Sequence, residues 1–83
     1  MADITLYTTS WCPYCLRAKR LLHDQGLEYE EIDLDGEPGF RDRLVELTGR
    51  WTVPQILIDG EPIGGYDELA QLARSGRLAE LVA

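Results

Sequence analysis

Only two cysteines, one histidine and one methionine occur among the 83 residues. The two cysteines, Cys12 and Cys15, stand so close together that a bridge between them would remove little entropy from the unfolded chain. A secreted fold stapled by disulfides needs more of them at wider spacing. A structural zinc site needs about four ligands, and beyond the cysteines only His23 offers nitrogen. Carboxylates or a second chain would have to complete one, so no metal is expected. No apolar run approaches the length that spans a bilayer, which excludes a membrane role of that kind. Basic residues are scarce as well: 8 Lys and Arg face 15 Asp and Glu, for a net charge of −7. That balance argues against nucleic acid as a partner and otherwise favours solubility. Met1-Ala2-Asp3 carries no basic start followed by an apolar run, so no secretory leader is expected and the cytoplasm is the expected location. Without repeats, linkers or low-complexity tracts, residues 1–83 read as a single domain.

What is present has a clear order. Ile4-Thr5-Leu6-Tyr7-Thr8 is short and alternates apolar with polar residues, which predicts a strand. Thr9-Ser10-Trp11 forms a loop into Cys12, and Pro13 suits a first helical turn, where its missing N–H is not needed. Leu16, Ala18, Leu21 and Leu22 mark the stripe of that helix, and Gly26 stops it. Residues 28–34 read as a second strand with imperfect alternation around Tyr29, Ile32 and Leu34. After the turn-rich residues 35–39, Phe40, Leu44, Val45 and Leu47 recur at helical spacing up to Gly49. Residues 54–59 hold the buried-strand run Ile56-Leu57-Ile58, and Asp59-Gly60 signals a hairpin into residues 61–64. Leu69, Leu72 and Ala73 give a third helix, which Gly76 ends before Leu78, Leu81 and Val82 close the chain. The order β-α-β-α-β-β-α calls for a right-handed crossover between the first two strands and an antiparallel hairpin later. An α/β, thioredoxin-like fold with a mixed four-stranded sheet flanked by helices is therefore expected; strand order is not encoded in these patterns.

Cys12-Pro13-Tyr14-Cys15, between a strand and a helix, is a redox motif in its proper context. Cys12 falls at the helix N-terminus, where free N–H groups and the helix dipole favour a thiolate. Cys15 falls one turn on, within bridging reach. Cys12 is thus the expected attacker and Cys15 the resolver. Lowering a thiol from a pKa of ~8.5 by ~3 units raises its ionised fraction at pH 7 about 30-fold. A Brønsted slope of ~0.5 removes about the same factor in nucleophilicity, so the gain lies in departure from mixed disulfides. Forward rate must then come from alignment of the disulfide.

With these residues in view, the sequence resembles the glutaredoxins, in their dithiol class and most closely the bacterial glutaredoxin 3 type. The resemblance covers essentially the whole chain. It rests on Cys12-Pro13-Tyr14-Cys15, Thr52-Val53-Pro54-Gln55 and Gly64-Gly65-Tyr66-Asp67, in order. It implies a glutathione-dependent thiol–disulfide oxidoreductase, acting as a monomer on disulfide-containing or glutathionylated proteins, with glutathione as co-substrate. Pro54 would be a cis-proline facing the cysteines, where its bland alternative is a strand boundary. Thr52 and Val53 would pair with extended glutathione through their backbones. Gly65, Tyr66 and Asp67 would hold its γ-glutamyl end. Asp67 would meet the ammonium group or, alternatively, cap the helix.

Two departures stand out. Many relatives carry a lysine where this chain has Thr9, and a basic residue where it has Trp51. Arg41 matches a family position that helps bind the glycyl carboxylate; its alternative is a solvated arginine. Tyr66 replaces a smaller residue and either covers the ligand or narrows the groove. Trp11 and Tyr14 either form an apolar rim for substrate or shield the cysteines, and Tyr7 reads as sheet packing. Arg17, Lys19 and Arg20 either steer anions or form a solvated helix face. Two other functions fit the resemblance: a redoxin recharged by thioredoxin reductase, and a glutathione-bound dimer carrying a [2Fe–2S] cluster through Cys12. Pro13 and the second cysteine argue against the latter.

Overall fold

In the computed structural model, which describes residues 3–82, the chain runs through eight elements. In order they are β1 (Ile4–Thr8), α1 (Pro13–Asp24), β2 (Glu30–Asp33), α2 (Phe40–Thr48), β3 (Gln55–Ile58), β4 (Glu61–Gly64), α3 (Tyr66–Ser75) and α4 (Arg77–Val82). The sheet order is β2-β1-β3-β4. β1 pairs with β2 in parallel, and the β1–β3 and β3–β4 pairs are antiparallel. This is the expected mixed, thioredoxin-like sheet, now with its strand order.

Side chains alternate across a strand, and this alternation builds two layers of core. Ile4 and Leu6 of β1 and Ile56 and Ile58 of β3 face Ala18 and Leu22 of α1, Leu69 of α3 and Leu78 of α4. Tyr7 and Leu57 face the other way, against Leu34, which directly follows β2, and Leu44 of α2. Tyr7 is thus sheet packing, as its position suggested. Each fully buried leucine here contributes roughly 1.5–3 kcal/mol of transfer free energy.

Three details differ from the sequence reading or refine it. The second strand is shorter than residues 28–34, because β2 lies at the sheet edge and only its Ile32 is half-buried. An edge strand with one neighbour and a single side chain packed on the core has little reason to alternate. The tail after Gly76 is a helix of its own, α4. Six residues are too few to hold a helix alone, so the burial of Leu78 against the core supplies what propensity cannot. The turn at Asp59-Gly60 has positive φ at both residues (53° and 81°), the signature of a type I′ hairpin. Pro62 sits in β4, on the other edge, where a missing N–H is tolerated. Among the described residues no helix is long and apolar enough to cross a membrane.

Candidate active site

Strand β1 delivers the chain to a loop whose backbone closes on itself: the Cys12 N–H donates to the Thr9 carbonyl at 3.4 Å. Cys12 is the N-cap of α1, and Pro13 is its first residue. The Cys15 N–H, one of the helix's otherwise unpartnered donors, donates to Cys12 Sγ at 3.3 Å. From the opposite side, Cys12 Sγ–H donates to the Val53 carbonyl at 3.6 Å. The thiol can make both contacts, whereas a thiolate keeps the amide hydrogen bond and cannot donate to the carbonyl. Both cysteines are free.

Cys15 is more enclosed, at 1% exposure. Burial pushes its thiol up to about 12, a hydrogen bond with the Cys12 side chain acts in the same direction, and the Thr9 backbone opposes both. Lys19 is held elsewhere. Its Nζ donates to Glu31 at 3.0 Å, and that carboxylate also accepts from Thr8 Oγ1 at 2.7 Å. The Thr8 hydrogen bond, followed by Lys19, holds the Glu31 carboxyl below the usual range, and Glu31 in turn raises Lys19. Arg17 stacks over Tyr14 at 5.2 Å. Neither cation therefore belongs to an unengaged steering face.

Beside Cys12 runs a groove of about 190 Å³ lined by Tyr14, Arg50, Thr52, Val53, Pro54, Gly65, Tyr66, Asp67 and Glu68. Seven of these residues are ones that the motifs singled out. The Val53–Pro54 bond is cis. Gln55, fully buried, donates through Nε2 to the Thr52 carbonyl at 2.9 Å and to Thr52 Oγ1 at 3.2 Å, which fixes this wall of the groove. Tyr14 and Tyr66 approach with ring centroids 6.3 Å apart, so Tyr66 bounds the groove and meets the active-site loop. Larger concavities, of about 780 Å³ around Leu27 and Glu28 and about 330 Å³ beside Trp11, take in none of Thr52-Val53-Pro54 or Gly65-Tyr66-Asp67, whereas the smaller groove includes Val53, whose carbonyl meets Cys12 Sγ.

Arg41 does not line the groove. Its guanidinium lies 5.1 Å from the Trp51 ring and 4.9 Å from the Phe40 ring, and Nη1 donates to the Trp51 carbonyl at 3.0 Å. Nor does Asp67 cap α3. Gly65 occupies the N-cap position, and it is Glu68 Oε1 that accepts the Gly65 N–H at 2.7 Å. Trp11 is 67% exposed and lies in the neighbouring cleft with Thr9, whose Oγ1 is buried without a hydrogen-bond partner.

Two groove residues escaped the motifs. Arg50, one position before Trp51, places a cation in the groove and donates from Nη1 to Glu68 Oε1 at 2.8 Å. The apparent loss of positive charge at position 51 is thereby corrected from the adjacent residue. The Gly65 hydrogen bond first, then Arg50, hold the Glu68 carboxyl below the usual range. The spacing of Glu68 three residues after the N-cap is a readable capping signal.

Comparison with known proteins converges on one family. The Glutaredoxin family profile matches residues 4–63. A glutaredoxin of Pseudomonas aeruginosa is 46% identical over 83 residues, covering 100% of this chain and 99% of the relative. Glutaredoxin 3 of Escherichia coli K12 is 44% identical over 82 residues, 99% of each chain. Among solved structures, the solution structure of Brucella melitensis glutaredoxin matches with a TM-score of 0.86 at 44% identity, over 99% of this chain and 89% of that one. The crystal structure of a buckwheat glutaredoxin–glutathione complex matches with a TM-score of 0.89 at 32% identity, over 98% and 76%.

Proposed function

The chain belongs to the glutaredoxin family, whose members are in general thiol–disulfide oxidoreductases, and from that premise we propose that it reduces glutathione mixed disulfides and protein disulfides with glutathione as reductant. The observation that carries this reading is the position of Cys12 Sγ, 3.6 Å from the carbonyl of Val53, a residue that lines the groove. A ligand lying along Val53 and Thr52 as an added strand would present its sulfur to Cys12.

In the first step the Cys12 thiolate attacks the glutathione sulfur of a mixed disulfide. A Cys12–glutathione disulfide forms, and the protein thiol leaves as a thiolate that takes a proton from water. A second glutathione thiolate then attacks the glutathione sulfur of that bond, which releases glutathione disulfide and restores Cys12. With a protein disulfide, the intermediate joins Cys12 to the substrate. Cys15 attacks Cys12 Sγ, the second substrate thiol departs, and two glutathiones reduce the resulting Cys12–Cys15 bridge. Tyr14, Thr52, Val53, Pro54, Gly65, Tyr66 and Asp67 form the ligand groove in this reading. Arg41 acts through the Trp51 backbone rather than on the ligand directly.

A coupled assay with glutathione, glutathione reductase and a glutathionylated peptide tests the proposal. Wild type should turn over; Cys15→Ser should keep peptide deglutathionylation but lose dithiol reduction of a protein disulfide; Cys12→Ser should lose both. Turnover with thioredoxin reductase but none with glutathione would overturn the reductant assignment. Substantial activity in Cys12→Ser would overturn the nucleophile.

A further inference from the structure

Arg50 and Glu68 touch neither cysteine, yet they join the two walls of the groove. Arg50 lies on the segment that leads into Thr52-Val53-Pro54. Its amide donates to Thr48 Oγ1 at 3.1 Å, and the Thr48 hydroxyl lies 3.1 Å from the Arg50 carbonyl, which fixes its backbone to the end of α2. Glu68 lies in the first turn of α3, the opposite wall. One carboxylate oxygen, Oε1, receives both the Arg50 guanidinium at 2.8 Å and the Gly65 N–H at 2.7 Å. The chain makes room for this junction with glycine. A Cβ on Gly64, whose φ is +115°, would stand 2.5 Å from Glu68 Oε1, and one on Gly65 would stand 3.3 Å from the Pro54 carbonyl.

We propose that Arg50 and Glu68 are positioning residues that hold the groove at the spacing a glutathione moiety needs, a role that rests on the glutathione reading above. Both side chains are half-exposed, at 52% and 40%, so their ion pair adds little to the stability of the fold. Its effect falls on binding, because a groove already held open at the right width spares the ligand the cost of ordering it.

The experiment compares wild type, Arg50→Met, Glu68→Gln, the double variant and Arg50→Lys, using a glutathionylated peptide and, separately, disulfide-bonded insulin with dithiothreitol as the reductant. Gln at 68 keeps an oxygen for the Gly65 N–H and removes only the charge, so it separates the clamp from the helix cap. Each single variant should raise KM for the glutathionylated peptide about threefold to fivefold with kcat within twofold, from the strength of exposed ion pairs. The double variant should be no worse than either single one, and Arg50→Lys should fall within twofold of wild type. An unchanged KM, effects that multiply in the double variant, or an equal loss toward insulin would each overturn the clamp. A wild-type protein that reduces insulin but not the glutathionylated peptide would remove the glutathione reading, and this shows before any variant is compared.

Discussion

Raising the pH from 6.5 to 8.5 should speed the resolving attack of Cys15 about a hundredfold, tenfold per unit, because its thiolate is the minor form throughout. Burial and the hydrogen bond with Cys12 push the Cys15 thiol up to about 12 from the ordinary 9.0. At pH 7 that lowers the thiolate fraction about a thousandfold, from ~1% to ~0.001%. A more basic thiolate is a better nucleophile, and a Brønsted slope of ~0.4–0.5 returns about 15- to 30-fold. The net deficit is at most about 30- to 60-fold. Proximity overcomes it readily, since well-oriented intramolecular groups reach effective molarities of ~10⁵ M and above. The hydrogen bond with the Cys12 thiol is lost once Cys12 enters a mixed disulfide, but burial, the largest cause, remains. The sign is therefore fixed: alkaline pH releases the Cys15 proton and accelerates resolution. The assay is single-turnover release of a fluorescent peptide from its mixed disulfide with Cys12, followed by stopped flow. The logarithm of the rate should rise with a slope near one between pH 6.5 and 8.5. A plateau within that window, or equal release from Cys15→Ser, would refute the reasoning.

Two further outcomes concern the scaffold. Gly64→Ala should cost about 1–3 kcal/mol in urea denaturation, because φ of +115° strains any side chain and the new Cβ displaces the Glu68 carboxylate. Leu69→Ala, at 0% exposure in the larger core layer, should cost about 2–5 kcal/mol with an unchanged urea m-value. Leu47→Ala, 40% exposed, should stay within about 0.5 kcal/mol. A Leu47 effect as large as that of Leu69 would contradict the assignment of the core.

The parts of this molecule that were legible in its sequence are those fixed by local chemistry. Cys12, Pro13 and Cys15 announce a helix start with a thiol on it, and Asp59-Gly60 announces a hairpin, because each conformation has few residues that permit it. Strand order and the α4 helix were not legible. β1 takes its central place through pairing with β3, which lies about fifty residues away, and α4 exists because Leu78 finds a core to enter. Arg50 was missed for a related reason. A motif is a row of fixed positions, and a cation expected at position 51 can come from position 50 when its side chain is long enough to reach α3. Asp67 shows the same effect in reverse: the neighbouring Glu68, not Asp67, takes the capping contact.

The Val53 carbonyl links the redox state of Cys12 to the groove. In the dithiol form it accepts the Cys12 S–H. Once Cys12 enters a disulfide that hydrogen is gone, and the same carbonyl loses its donor while a ligand occupies the groove. A partly buried carbonyl without a donor is costly, and an extended peptide backbone carries N–H groups at strand spacing that can replace it. Under the proposed reading, then, forming the mixed disulfide favours the strand-like seating of the glutathione half. The same exchange runs backwards when the Cys12 thiol is restored, so product loses a hydrogen bond at the moment it must leave. Alignment and release are in this way two ends of one contact, which the Cys12 thiol makes and its thiolate cannot.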